Sequence, residues 1–213
     1  MLLRTTHPKP EEFVLGKSRL ESFSDGVFAV AITLLILEIR IPASASWTSS
    51  VWQQTRALVE IWPQYLVYGA SFLTIGIMWI NHHVLFDNAR RITHRMLMAN
   101  LLLLGLITFL PFTTEVLGRF GLTRTSVVYY GLVLTAISFA YFWVFWEVRA
   151  AHGIATRLER WNLGLASYPI AAIAGYFVPL LGIGIIIGLA LFYAIPANIQ
   201  TAKLRLEDLP PDQ

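Results

Sequence analysis

A carboxylate at the start of a long apolar segment is the feature of this sequence that most needs a chemical explanation. Asp25 follows Ser24, and residues 26–37 after it are apolar except for Thr33. An ionised carboxylate inside a membrane costs about 2.5–3.5 kcal/mol or more, so we expect Asp25 to have a specific partner. We predict a buried network that joins this segment to a second one, drawn from Arg19, Phe23, Ser24, Asp25, Trp79, Asn81, His82 and His83.

Two other interpretations of these residues stay open. Histidine titrates near physiological pH, so His82 or His83 together with Asp25 would serve as a proton relay or a pH sensor. Alternatively, Ser24 or Asp25 simply caps a helix. A metal site at the histidines is disfavoured, because adjacent residues on a helix point about 100° apart and no acidic ligand shares their face.

The same segment contains an apolar stripe with helical periodicity. At 100° per residue, one side of the helix carries Gly26, Val30, Thr33, Leu34, Leu37 and Ile41. Asp25, Phe28 and Leu35 fall on the opposite side. From periodicity alone, we expect the stripe to pack against another helix.

The elements that carry these residues belong in a membrane. The 213 residues are 56% hydrophobic and 14% charged, whereas an average soluble domain has about 25% charged residues. Residues 161–202 form a run of 42 without Asp, Glu, Lys, Arg or His, about twice the length that one transmembrane helix needs. This composition argues against a soluble enzyme, a nucleic-acid binder or a disordered chain. Because the chain has no cysteine, disulfides and thiolate sites are excluded.

Six apolar segments predict an all-α membrane protein with six transmembrane helices. The predicted spans are 22–40, 63–85, 96–117, 125–147, 161–178 and 182–200. Pro111 predicts a kink in the third span, and Pro179 with Gly182 predicts that the last two spans form a hairpin. Residues 47–61 mix tryptophan with polar residues, which favours a short segment at the membrane interface.

The distribution of basic residues predicts the orientation. Twelve of the 16 Lys and Arg residues lie on the side that holds both chain ends, and the positive-inside rule places that side in the cytoplasm. We therefore expect a cytoplasmic segment 1–18, a six-span domain 19–202 and a short cytoplasmic tail 203–213, in a multi-pass protein of the cell membrane. The polar N-terminal residues lack a cleavable small-residue site, so the first span is its own insertion signal.

The motif around Asp25 is similar to one in a known family. Arg19, Phe23, Ser24 and Asp25 spell R-x-x-x-F-S-D, and with residues 26–38 they closely resemble the first-span signature of bacterial members of the transmembrane protein 175 family, the endolysosomal-type potassium channels. In that family the animal proteins carry two six-span repeats and form dimers, whereas the bacterial proteins carry one repeat and form tetramers. The resemblance implies a homotetramer with a central pore lined by the first helix of each subunit.

Carried over by position, the resemblance implies a role for the residues of the stripe. Val30, Leu34 and Leu37 correspond to the family's apolar pore constriction, and Thr33 corresponds to its selectivity-linked threonine. Val30 is smaller than the Ile or Leu that family members often have there, which predicts a wider first layer.

We therefore predict a passive, potassium-preferring cation channel rather than an enzyme. Backbone carbonyls of an intact helix are already paired, so selection must come from side chains and from pore width. One ring of Thr33 hydroxyls predicts modest discrimination of potassium over sodium, and narrow apolar rings predict gating by dewetting. Potassium and other monovalent cations are the expected permeant species, with the lipid bilayer as surroundings and without cofactor, metal or nucleic acid. The main competing function is a proton-coupled secondary transporter that uses Asp25 with His82 or His83, and a non-conducting scaffold is a further alternative.

Overall fold

The computed structural model describes residues 16–41, 50–87, 89, 91–152 and 159–194, and every regular element in these ranges is a helix. The predicted terminal segments 1–18 and 203–213 lie outside these ranges except for residues 16–18. The helices are α1 (Lys17–Leu34), which continues as a 3-10 turn (Leu35–Glu38), α2 (Val51–Glu60), α3 (Trp62–Asp87), α4 (His94–Ile107), α5 (Leu110–Phe120), α6 (Arg124–His152), α7 (Glu159–Phe177) and α8 (Pro179–Ala194).

Within the ranges given above, three helical stretches are long and apolar enough to cross a membrane. They are Lys17–Glu38, His94–Phe120 and Arg124–Ala151. Two shorter apolar helices follow, at Leu165–Phe177 and Pro179–Tyr193. α3 has 26 residues, which at about 1.5 Å per residue exceeds the roughly 30 Å of a hydrocarbon core. The described chain therefore has the helical composition of the predicted all-α membrane protein.

The third predicted span consists of two helices instead of one. Thr108 and Phe109 separate α4 from α5. Pro111 lies at the start of α5, and it lacks the N–H that would donate to the Ile107 carbonyl in a continuous helix. The predicted kink at Pro111 is thus confirmed as a break in the helix.

The last two helices form the predicted hairpin, with only Val178 between them. A Cβ atom added to Gly182 would lie 2.6 Å from the Cα atom of Gly175, and one added to Gly131 of α6 would lie 2.8 Å from the Cβ atom of Ala172. Both distances are well inside van der Waals contact. Small residues therefore set how closely α7 approaches its two neighbours, as they commonly do between membrane helices.

α1 packs with one face against the rest of the bundle. Its neighbours are α3, α4 and α5, and its buried residues are Leu20, Ser24, Phe28, Ala31 and Leu35. These residues recur at helical spacing, so they form a single side of the helix. α6 occupies the middle of the bundle, in contact with α4, α5, α7 and α8. The position of α1 is therefore fixed from one side only.

Candidate functional site

The predicted stripe of α1 lies on the face that the described chain does not cover. Val30, Leu34 and Leu37 are 55%, 41% and 66% exposed, and Gly26 and Thr33 are exposed as well. Packing against another helix of the same chain, which periodicity alone predicts, is therefore wrong for the described residues. Because the rest of the described chain does not shield these aliphatic side chains from water, something outside it must do so.

Thr33 places one oxygen atom on this aliphatic face. Its Oγ1 atom lies 3.0 Å from the carbonyl oxygen of Ala29 and 2.9 Å from that of Val30, and it donates back into the helix. A hydroxyl group has one hydrogen but two lone pairs. The oxygen of Thr33 therefore keeps the capacity to accept a hydrogen bond or to coordinate a cation from the exposed side.

Asp25 lies at the edge of the exposed face, not within the buried side of α1. Its Oδ1 atom accepts a hydrogen bond from Nε1 of Trp79 on α3, at 2.8 Å. The Trp79 ring in turn lies beside His83, with 6.2 Å between the ring centroids. The partner of this carboxylate is thus an indole N–H, supplied by α3.

A buried contact joins α1, α3 and α4 next to the Asp25 pair. Nδ2 of Asn100 donates to Oγ of Ser24 at 3.0 Å, and Oδ1 of Asn100 lies 2.7 Å from Nε2 of His82. Oγ of Ser24 donates to the carbonyl of Leu20 at 2.9 Å. An amide oxygen only accepts, so this network assigns the proton to Nε2 of His82. Ser24 and Asn100 have no exposed surface, and His82 is 2% exposed.

Aromatic rings hold the His82 side chain in place. The centroid of the His82 ring lies 4.6 Å from the centroid of the Phe86 ring. It lies 5.4 Å from the centroid of the Phe28 ring, and these two rings meet edge to face. Phe28 belongs to the buried face of α1, so its contact with the His82 ring links α1 to α3. The hydrogen bonds through Asn100 link the same two helices. We refer to Ser24, His82 and Asn100 as the inner polar cluster.

Other predicted network members lie apart from this cluster. Arg19 and Phe23 are exposed, and Asn81 is partly buried. Nε2 of His83 faces Oδ2 of Asp87 at 3.8 Å, one helical turn further on. The expectation that no acidic residue shares a face with the histidines is therefore wrong for His83. The inner polar cluster therefore contains two of the predicted residues and one that sequence reasoning missed.

The missed residue is Asn100, which lies in an otherwise apolar run of α4. A polar side chain in a membrane-spanning segment is unusual and ordinarily has a partner inside the protein. That signal was present in the sequence, but it does not identify the partner.

Hydrogen bonds and ion pairs hold the chain just after the C-terminal end of α1. The backbone N–H of Arg40 donates to Oε1 of Gln64 on α3 at 2.9 Å. The guanidinium groups of Arg40 and Arg119 lie 2.8 Å and 2.6 Å from the same Oε1 atom of Glu115 on α5. The chain that leaves α1 is therefore held to both α3 and α5.

A second buried polar cluster lies among α3, α5 and α6. Oγ of Ser71 is 3.0 Å from the hydroxyl of Tyr130 and 2.8 Å from Oγ1 of Thr114. All three side chains are buried. We call Ser71, Thr114 and Tyr130 the outer polar cluster. The two clusters together show that hydrogen bonds, as well as apolar packing, hold the helices of this bundle against one another.

Comparison with known proteins shows where this arrangement recurs. Residues 19–111 match the family described as Endosomal/lysosomal potassium channel TMEM175. A protein of Streptomyces collinus named as a potassium channel is 36% identical over 166 residues, which cover 71% of this chain and 79% of that protein. A protein of Chamaesiphon minutus with the same kind of name is 33% identical over 202 residues, covering 89% of this chain and 98% of that protein.

The fold has a counterpart among solved structures. The crystal structure of a lysosomal potassium-selective channel TMEM175 homolog from Chamaesiphon minutus superposes with a TM-score of 0.75 at 32% sequence identity. The match covers 84% of this chain and 96% of that one. The arrangement of helices around α1 is therefore shared with a protein of known structure.

Proposed function

Because the chain belongs to the TMEM175 family, we propose that it is a potassium-preferring cation channel. In this proposal four copies assemble around a central axis, and α1 of each copy lines a pore through which ions pass passively. The uncovered stripe of α1 is the observation that carries the proposal. An aliphatic face that turns away from its own core becomes enclosed when the same face of other copies meets it around the axis.

The membrane arrangement that accompanies this proposal has six spans within residues 19–202. α1 with its 3-10 turn, α3, the pair α4 and α5, α6, α7 and α8 supply one span each. Both chain ends are then cytoplasmic, in the cell membrane, with segments 1–18 and 203–213 on that side. Support comes from the apolar helices and from the excess of Lys and Arg in the segments assigned to the cytoplasm.

The proposed constriction consists of successive rings of side chains. Val30 and Leu34 are separated by about 6 Å along an ideal helix, with Thr33 between them. Narrow rings of aliphatic side chains favour the loss of water from the pore, which closes it to ions. The ring of Thr33 oxygens supplies polar contacts in this zone, and we assign the potassium preference to it.

Replacement of Thr33 by alanine tests the proposed selectivity. We expect the Thr33→Ala channel to show a lower potassium-to-sodium permeability ratio in planar bilayers, measured from reversal potentials in a potassium/sodium gradient. Thr135→Ala on α6 is the matched control, since Thr135 also donates back to a carbonyl of its own helix, that of Gly131, at 2.7 Å. An unchanged ratio in Thr33→Ala would remove this residue from the selectivity mechanism.

Replacement of Leu34 by alanine tests the proposed constriction. A shorter side chain widens an apolar ring and lowers its tendency to dewet, so we expect a higher single-channel conductance. Leu132→Ala on α6 is the control, because Leu132 is also exposed but lies on a helix away from the stripe. Equal conductance of Leu34→Ala and the unmodified channel would place the constriction elsewhere.

The proton-coupled transporter has less support from the structure. Asp25 bonds to Trp79, whereas the nearest polar partners of His82 and His83 are Asn100 and Asp87. No direct hydrogen bond connects Asp25 to either histidine among the residues described. Saturable flux far below channel rates would favour the transporter, and the absence of single-channel currents from the reconstituted protein across a range of voltage and pH would refute the channel.

A further inference from the structure

We propose that α2 is a membrane-surface helix whose apolar side docks at the headgroup–acyl boundary of the outer leaflet. The partner is the lipid bilayer itself, and the docking surface consists of Val51, Trp52, Leu58, Val59 and Trp62. The inference rests on the proposed membrane placement of α3, which begins two residues after α2 ends. It does not depend on ion conduction.

The apolar side of α2 is uncovered. At 100° per residue, Val51, Trp52, Leu58 and Val59 fall within one arc of about 120°. Thr55 lies within this arc, and its hydroxyl donates to the Val51 carbonyl at 2.9 Å. Trp62 follows at the first position of α3. The exposed fractions of the docking-surface residues run from 45% at Leu58 to 80% at Val51. Tyr65 and Leu66 in the first turns of α3 are 42% and 59% exposed. Exposed apolar side chains therefore follow the chain from α2 into a proposed membrane span.

The opposite side of α2 is polar and suited to water. Nε of Arg56 pairs with Oε1 of Glu60 at 2.7 Å, and both side chains are largely exposed. Glu60 lies about 160–180° around the helix from Val51 and Leu58. A helix with one charged face and one face bearing tryptophan is typical of segments that lie in the plane of the membrane interface.

A third side of α2, between the apolar side and the polar side, faces the rest of the protein. Ile61 is buried at 6% exposure, and Ala57 is partly buried, while none of the residues of α2 itself is buried. The helix therefore contacts the protein along an edge and turns its apolar side outward.

The stability of α2 also requires a cover for this side. Its start carries a capping box, in which Ser50 Oγ accepts from the Gln53 N–H at 3.3 Å and Gln53 Oε1 accepts from the Ser50 N–H at 2.9 Å. Capping alone does not suffice, because isolated helices shorter than about 12–15 residues are marginal in water. α2 has 10 residues, so packing of its apolar side is needed, and a bilayer adjoining α3 supplies it.

Spin labels at single cysteines test this docking directly. The natural sequence has no cysteine, so each variant carries one label. Val51→Cys and Leu58→Cys report on the docking surface, Glu60→Cys on the polar side, and Ile170→Cys on an exposed position of α7. The full-length protein is reconstituted into vesicles of phosphatidylcholine and phosphatidylglycerol. Power saturation then measures collisions with oxygen, which partitions into lipid, and with a water-soluble nickel chelate.

We expect the ratio of oxygen to nickel collisions at positions 51 and 58 to be several-fold higher than at position 60. Equal ratios at positions 51, 58 and 60 would overturn the inference, since the helix would then lie in water. Protection of positions 51 and 58 from both reagents would also overturn it, because another copy of the chain would then cover the surface.

The control at position 170 separates this inference from the proposed function. A label there that collides mainly with the nickel chelate, as it would in water, would contradict the membrane placement on which the inference rests, and both would fail together. A protein that gives the expected collision pattern but conducts no current would refute the channel alone.

Discussion

Replacement of Asn100 by leucine tests what the inner polar cluster contributes to stability. Leucine has a similar size, but it leaves Nε2–H of His82 without an acceptor at a site that is 2% exposed. A buried polar group that loses its partner costs about 1–3 kcal/mol, whereas one hydrogen bond between membrane helices averages only about 0.6 kcal/mol. We therefore expect Asn100→Leu to lower the free energy of unfolding by about 1–3 kcal/mol, with the unpaired N–H as the main cause.

A double-mutant cycle identifies that cause. His82→Phe removes the N–H group while keeping a ring between Phe28 and Phe86. If the unpaired donor dominates, the double variant regains part of the loss, with a coupling energy of about 1–2 kcal/mol. Denaturant titration in detergent micelles measures each unfolding free energy. Asn81→Leu, an amide replacement at a partly buried neighbour of His82, is the control and should change stability by less than about 0.5 kcal/mol. Additivity within about 0.3–0.5 kcal/mol would refute this explanation.

Two further substitutions test other contacts. Gly182→Ala forces a Cβ atom to within 2.6 Å of the Gly175 backbone, so the hairpin must open at a cost of about 1–3 kcal/mol; Gly184→Ala, where no atom lies within 4 Å of an added Cβ, should be nearly neutral in the same unfolding titration, and equal effects would contradict the packing argument. Trp79→Phe removes the donor to Asp25 and should lower stability by about 0.5–1.5 kcal/mol, a loss that should vanish in the Asp25→Asn background if the bond acts through the carboxylate charge.

The sequence predicted the local features of this fold well. Apolar runs located the helices, proline located the break before α5 and the hairpin turn, and a period of 3.6 residues identified the stripe of α1. Each of these signals lies within one segment and depends on side-chain chemistry or backbone geometry at known spacing. The exposure of Val30, Leu34 and Leu37 was not predictable in the same way, because periodicity defines a face without saying what covers it.

The polar contacts show where such prediction stops. Ser24 and His82 were candidate members of a network, but their link is Asn100, which is 76 residues from Ser24 along the chain. No spacing rule relates residues on three different helices, so their meeting depends on how the helices pack. For the same reason Asp25 bonds to Trp79 while His83 lies beside Asp87.

The break between α4 and α5 gives α1 two separate supports. The inner polar cluster attaches α1 to α4, whereas Arg40 and Glu115 attach the chain beyond α1 to α5. At Thr108 and Phe109 one backbone hydrogen bond of a continuous helix is missing, because Pro111 has no N–H to donate to the Ile107 carbonyl. The two attachments of α1 therefore lie on separate helices, one on each side of this break.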